Sequence, residues 1–139
     1  MFKKKIKYTD FNGIVREEEF YFHMSVPEAL QLQSGFGGQT LEQYVLSLQS
    51  SGSENRMLKF LKMLILESYG EKSEDGKSFI KNQEIKEKFA GSQAYAELFE
   101  ELILNPDSAE AFAAGIAHQT KHMKAPVLMV APEEKPAQE

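Results

Sequence analysis

Cysteine is absent from this 139-residue chain. That removes disulfides, thiol nucleophiles and cysteine-based zinc sites, and it suits a reducing compartment. Long apolar runs are missing as well. The longest, Met63 to Leu66 and Val127 to Ala131, fall far short of the ~20 residues a membrane-crossing helix needs. The opening Met1-Phe2-Lys3-Lys4-Lys5-Ile6-Lys7-Tyr8 is basic, but Thr9-Asp10 stand where an export signal would place its apolar stretch, so no such signal is read. An excess of positive charge is also lacking. The formal net charge is −5, which argues against nucleic acid as the main partner, because phosphate binding needs clustered Lys and Arg. Lys3, Lys4, Lys5 and Lys7 read as a solvated strand face neutralised by Glu17, Glu18 and Glu19.

What is present reads as one domain of mostly α, α+β class. An N-terminal β-hairpin over 1–23 packs on a bundle of about five to six short helices over 25–120, and 121–139 form a flexible C-terminal tail. A chain of this length buries roughly two-thirds of its unfolded surface, enough for a core without staples. In the hairpin, Phe2, Ile6 and Tyr8 alternate with lysines, and Phe20 and Phe22 alternate with Glu19 and Tyr21. Asp10-Phe11-Asn12-Gly13 supplies the turn. A loop of Phe11, Asn12 and Gly13 places Lys7 opposite Glu17 and Lys5 opposite Glu19. Such opposite-charge pairs help by a few tenths of a kcal/mol each.

From Ser25 the period becomes helical. Ser25 with Glu28, and Thr40 with Gln43, are capping-box signals, and Pro27 fits the first turn of its helix. Between those helices Gly35-Phe36-Gly37-Gly38 reads as a flexible loop with an exposed aromatic. Glu54 to Tyr69 carries apolar residues around most of its circumference, the mark of a central helix or of one wanting a partner. Gly70 is expected as its C-cap and Asp75-Gly76 as the turn of a polar loop. Asn82 caps a short helix holding Ile85 and Phe89. Tyr95, Leu98, Phe99, Leu102 and Ile103 form a clean helical stripe. Asp107 is expected to cap a last helix whose stripe, Ala109, Phe112, Ala113, Ile116 and Ala117, is small enough for close packing. Pro126, Pro132 and Pro136 with Glu133-Glu134-Lys135 cannot build a core, although Val127-Leu128-Met129-Val130 could bind in extended form.

Constellations with chemistry are few. Gly76-Lys77-Ser78 ends like a phosphate-binding loop, but Glu71 occupies the position of the first glycine, and a helix is expected to precede it where that motif needs a strand. His118 and His122 have the spacing of a zinc pair, yet Gln119 replaces the glutamate of the metalloprotease pattern. They read as surface histidines near a helix C-terminus. Glu97, Glu100 and Glu101 lie on the outer face of an amphipathic helix, where nothing drives two carboxyl pKa values apart. The expectation is no enzyme, no cofactor and no metal.

The run Leu66-Glu67-Ser68-Tyr69-Gly70-Glu71-Lys72-Ser73-Glu74-Asp75-Gly76-Lys77-Ser78-Phe79-Ile80, continued through Ala94 to Leu102, Asn105 and Ala111-Phe112, resembles the tail assembly chaperone family of long-tailed, siphovirus-type bacteriophages. The resemblance extends from Lys7-Tyr8-Thr9-Asp10-Phe11-Asn12-Gly13 to about Ile116. Where members continue with a Gly-Ile-Leu-Pro style ending, this chain has Gly115-Ile116-Ala117-His118. The resemblance implies a protein of the host bacterial cytoplasm, absent from the mature virion, that binds the tape measure protein, keeps it soluble and helps recruit tail tube protein. It also implies a longer frameshifted form of the chain, and it leaves self-association open. Aromatic placement nominates Phe36, Tyr95, Phe99 and Phe112 as partner-binding residues. The readings set against it are a small structural tail or connector subunit of the virion and a host-directed adaptor. Neither nucleic acid nor a membrane is expected as a partner.

Overall fold

A computed structural model describes residues 1–117. His118, His122, the Val127–Val130 run and the expected tail over 121–139 lie outside the described residues. The chain begins with an antiparallel hairpin of β1 (Phe2–Thr9) and β2 (Val15–Phe22). Its register is set by the turn, as the sequence implies: Lys7 stands opposite Glu17 and Lys5 opposite Glu19. Asp10 builds that turn. Its Oδ1 accepts the N–H groups of Asn12 (2.9 Å) and Ile14 (3.0 Å), and Arg16 Nε donates to its Oδ2 at 2.6 Å. Gly13 takes the required positive φ of 81°. One lysine departs from the expected solvated face. Lys4 points inward, half-buried, and pairs with Glu101 at 2.9 Å, so it pins the sheet to a helix.

Helices α1 (Val26–Ser34) and α2 (Leu41–Ser51) each start with a complete capping box, Ser25 with Glu28 and Thr40 with Gln43. Helix α3 (Glu54–Ser68) is the central helix, burying Phe60, Leu61, Leu64 and Ile65 and touching α2 and three later helices. It ends one residue early. Tyr69 is already extended, and Gly70 is not a C-cap but lies in β3 (Tyr69–Lys72), opposite Tyr21 of β2. The polar loop expected next is a second hairpin, with β4 (Phe79–Ile80) paired to β3. The sheet therefore has four antiparallel strands in the order β1-β2-β3-β4. Gly70 is needed because a Cβ there would meet Phe79 Cε2 at 2.5 Å and the Ile80 carbonyl oxygen at 2.7 Å. Asp75-Gly76 does form the turn, Gly76 at φ +73°.

The rest is helical: α4 (Gln83–Ala90), capped by Asn82, α5 (Gln93–Leu104), capped by Ser92, and α6 (Pro106–Ala117). Asp107 is not the cap expected for α6. The helix begins at Pro106, favoured at a first helical position because its missing N–H is not needed there. The Asn105 carbonyl accepts the Ala109 N–H at 3.1 Å, and Asp107 falls in the first turn, where its charge suits the helix dipole. Helix α5 lies across β1, and the sheet's inner residues Phe2, Ile6, Phe20 and Phe22 close the core against the helices. The fold is thus α+β and mostly helical.

Candidate functional site

Two aromatic clusters organise the interior. On the sheet side, Phe22 meets Phe112 edge-on at 5.1 Å and Phe89 at 6.0 Å, and Phe89 stacks on Tyr69 at 4.0 Å. Burial pushes the Tyr69 hydroxyl up to about 12, with Glu71 adding to the effect. On the other side, Phe36 stacks on Tyr44 at 4.0 Å, and both turn edges toward Phe60 at 5.7 and 4.9 Å. Among the described residues no ring contact joins the two clusters.

The second cluster opens onto a groove of about 470 Å³ between α1 and α3, lined by Met24, Leu32, Phe36 and Met63 with Glu28 and Glu67 at its rim. The groove exists because α1 stands off the core, burying only Ala29. What holds α1 in place is Lys81. Its ammonium donates to the carbonyl of His23 (2.8 Å), to Glu28 Oε1 (2.9 Å) and to the carbonyl of Glu67 (2.9 Å), joining the end of β2, the start of α1 and the end of α3. Burial alone would raise the Glu28 carboxyl, but the Ser25 N–H and Lys81 outweigh it and hold it below its ordinary value. Lys86 pairs with Glu67 beside it, and these groups line a polar cleft of about 240 Å³ that continues the groove.

The four nominated residues separate in space. Phe36 sits on the groove wall, half-buried and stacked, rather than exposed on a loop. Tyr95 and Phe99 are half-buried on α5, 5.9 Å apart, with Tyr95 edge-on to Phe89. Phe112 is 2% exposed and belongs to the core, so no partner reaches it without unfolding α6. Met63 was visible in the sequence as part of a widely apolar helix. Met24 and Leu32 were not, because they enter the site only when α1 is laid beside α3.

The arrangement is a partly apolar groove with an acidic rim. Gly76-Lys77-Ser78 is preceded by strand β3, not by the helix expected, but β4 follows it, so no helix N-terminus faces the loop to hold a phosphate. Among the described residues no three His, Asp or Glu side chains gather to hold a metal ion, and no helix is long and apolar enough to cross a membrane. Comparison with known families matches residues 1–135 to the family described as phage tail assembly chaperone. No curated protein and no solved structure matches the chain.

Proposed function

Because the chain belongs to the phage tail assembly chaperone family, we propose that it binds the tape measure protein in the α1–α3 groove, keeps that partner soluble and helps recruit tail tube subunits. The observation that carries this reading is the open trough of Met24, Leu32, Phe36 and Met63. Such a trough suits the apolar stripe of an amphipathic helix. Methionine adapts its shape to successive, non-identical segments of a long partner. Weak contacts repeated along that partner add up through multivalency yet remain releasable when tube subunits arrive. The half-exposed rings of Tyr95 and Phe99 form a second contact strip on α5. On this reading the protein works in the host cytoplasm, without catalysis, and a longer frameshifted form contributes to tube recruitment.

The test is co-expression of the full chain with the tape measure protein of the same phage, followed by centrifugation and affinity capture. The chain is expected to keep the tape measure protein in the supernatant. A Phe36→Ala/Met63→Asp variant that still folds is expected to lose most of that effect. Undiminished capture by the folded variant overturns the groove as the binding site.

A further inference from the structure

The groove has an electrostatic side that its lining does not include. On α3, Arg56 and Lys59 precede Met63 by two turns and one turn, about 10 and 6 Å along the axis at 1.5 Å per residue, and so share its face. Lys62 borders the same face. All three are exposed, and among the described residues none makes an ion pair. The carboxylates at the groove are already engaged, Glu28 with Lys81 and Glu67 with Lys86. The acidic rim of the groove is therefore neutralised, while its α3 wall carries three positive charges with no ion pair among the described residues, on a chain whose net charge is −5. An apolar trough bounded along one wall by an unpaired basic ridge is a specific demand on its occupant.

We infer that the groove selects an amphipathic helix whose apolar stripe is flanked on one side by Asp and Glu, with Arg56, Lys59 and Lys62 reading that flank. This rests on the groove being the partner-binding site and adds which helices it takes. The trough supplies affinity by burying the stripe. The ridge supplies selection and orientation, since exposed charges contribute little apiece but penalise a like-charged flank. A basic flank places like charges against the ridge, and a helix laid in the reverse direction turns its acidic flank away from it, so one orientation along the partner is preferred. The concave trough favours a helix over a membrane, because a flat lipid surface reaches the ridge without filling the groove.

The experiment uses two fluorescein-labelled helical peptides about 20 residues long. They share one Leu/Ala stripe and differ only along one flank, Glu in one and Lys in the other. Fluorescence anisotropy against the full chain at low salt should show the Glu-flanked peptide binding about tenfold tighter, the size expected of a few exposed charge pairs and equal to about 1.4 kcal/mol. The advantage should shrink at ~0.5 M salt. In Arg56→Glu/Lys59→Glu/Lys62→Glu the ranking should reverse. These residues are exposed, so the variant should keep its thermal midpoint. Equal binding of the two peptides, or a ranking unchanged by the triple variant, overturns the inference. So does binding to anionic vesicles in preference to either peptide. Met63→Asp tests the groove separately. Loss of both peptides in Met63→Asp, with a ranking the triple variant leaves intact, sinks the charge inference and spares the groove. A ranking that reverses while tape measure capture fails supports the charge inference and removes the tape measure protein as the occupant.

Discussion

The two aromatic clusters use the same ring geometry for opposite ends. Tyr69 on Phe89 and Phe36 on Tyr44 are both parallel stacks at 4.0 Å. The first is packed among β2, α4 and α6, where Phe22, Phe89 and Phe112 are all buried, and only Tyr69 of the stacked pair is partly exposed. The second has α3 behind it and only α1 in front, a helix that buries one residue. Ring contacts by themselves therefore do not mark a site. What distinguishes the groove is a thinner outer layer, which leaves the apolar side chains of Leu32, Phe36 and Met63 partly exposed.

Truncating each cluster should separate these roles, and the largest effect belongs to the closed one. Phe112→Ala removes a ring that meets Phe22 at 5.1 Å and Phe2 at 5.5 Å and is itself 2% exposed. The cost should be about 3–5 kcal/mol, the usual range for a buried phenylalanine. Urea unfolding measures it, with the slope of free energy against denaturant unchanged. A loss under about 1 kcal/mol would mean that Phe112 is not the core residue its burial indicates.

Phe36→Ala should reverse the balance. The ring is half-buried and already edged by solvent, so the stability cost should stay near 1–2 kcal/mol, mostly the stack on Tyr44 and its partial burial. Capture of a helical partner should fall more steeply than stability. A variant losing as much stability as Phe112→Ala, with partner capture untouched, would turn the groove trio into a second core and end the contrast.

Features held within a few consecutive residues were more legible in the sequence than features built by packing between distant segments. Capping boxes at Ser25 and Thr40 are local signals, since four consecutive residues contain the whole interaction. The register of β1 on β2 follows from the Asp10–Ile14 turn for the same reason. Strand β3 was hidden because Tyr69-Gly70-Glu71-Lys72 has weak strand propensity and is held extended by Tyr21 and Phe22, some fifty residues earlier, and by the short strand of Phe79 and Ile80 across a loop. A glycine after an apolar helix also mimics a C-cap, while the reason for Gly70 is the close approach of Phe79 and Ile80. The groove was hidden for a related reason. Phe36 stands in a glycine-rich loop and Met63 in an apolar helix, and Met24 and Leu32 join them only through packing between α1 and α3, which no spacing rule encodes.

The smallest expected effect concerns the seam between the two regions. His23 sits where β2 passes into α1, its carbonyl held by Lys81 and its ring edge-on to Phe79 at 5.6 Å. Nδ1 is buried without a hydrogen-bond partner among the described residues. Burial lowers its pKa below 6.5, the amino terminus and Lys81 push in the same direction, and Glu28 opposes them. An unfolded chain binds this proton from about pH 6.5 downward, whereas the folded chain binds it only at lower pH. Across that window the unfolded state holds more protons, so stability should fall as pH drops from about 6.5 and level off, for this group, below the folded pKa. Acidification in this range also places a second cation beside Lys81, the group that ties α1 to the sheet. Loosening should therefore reach the groove before the sheet-side core. Hydrogen exchange at the amides of α1 and of β2 between pH 7 and 5, corrected for intrinsic rates, reads the order directly. Earlier opening of α1, abolished in His23→Gln, makes the seam the point where the two regions part; simultaneous opening would show that they unfold as one unit.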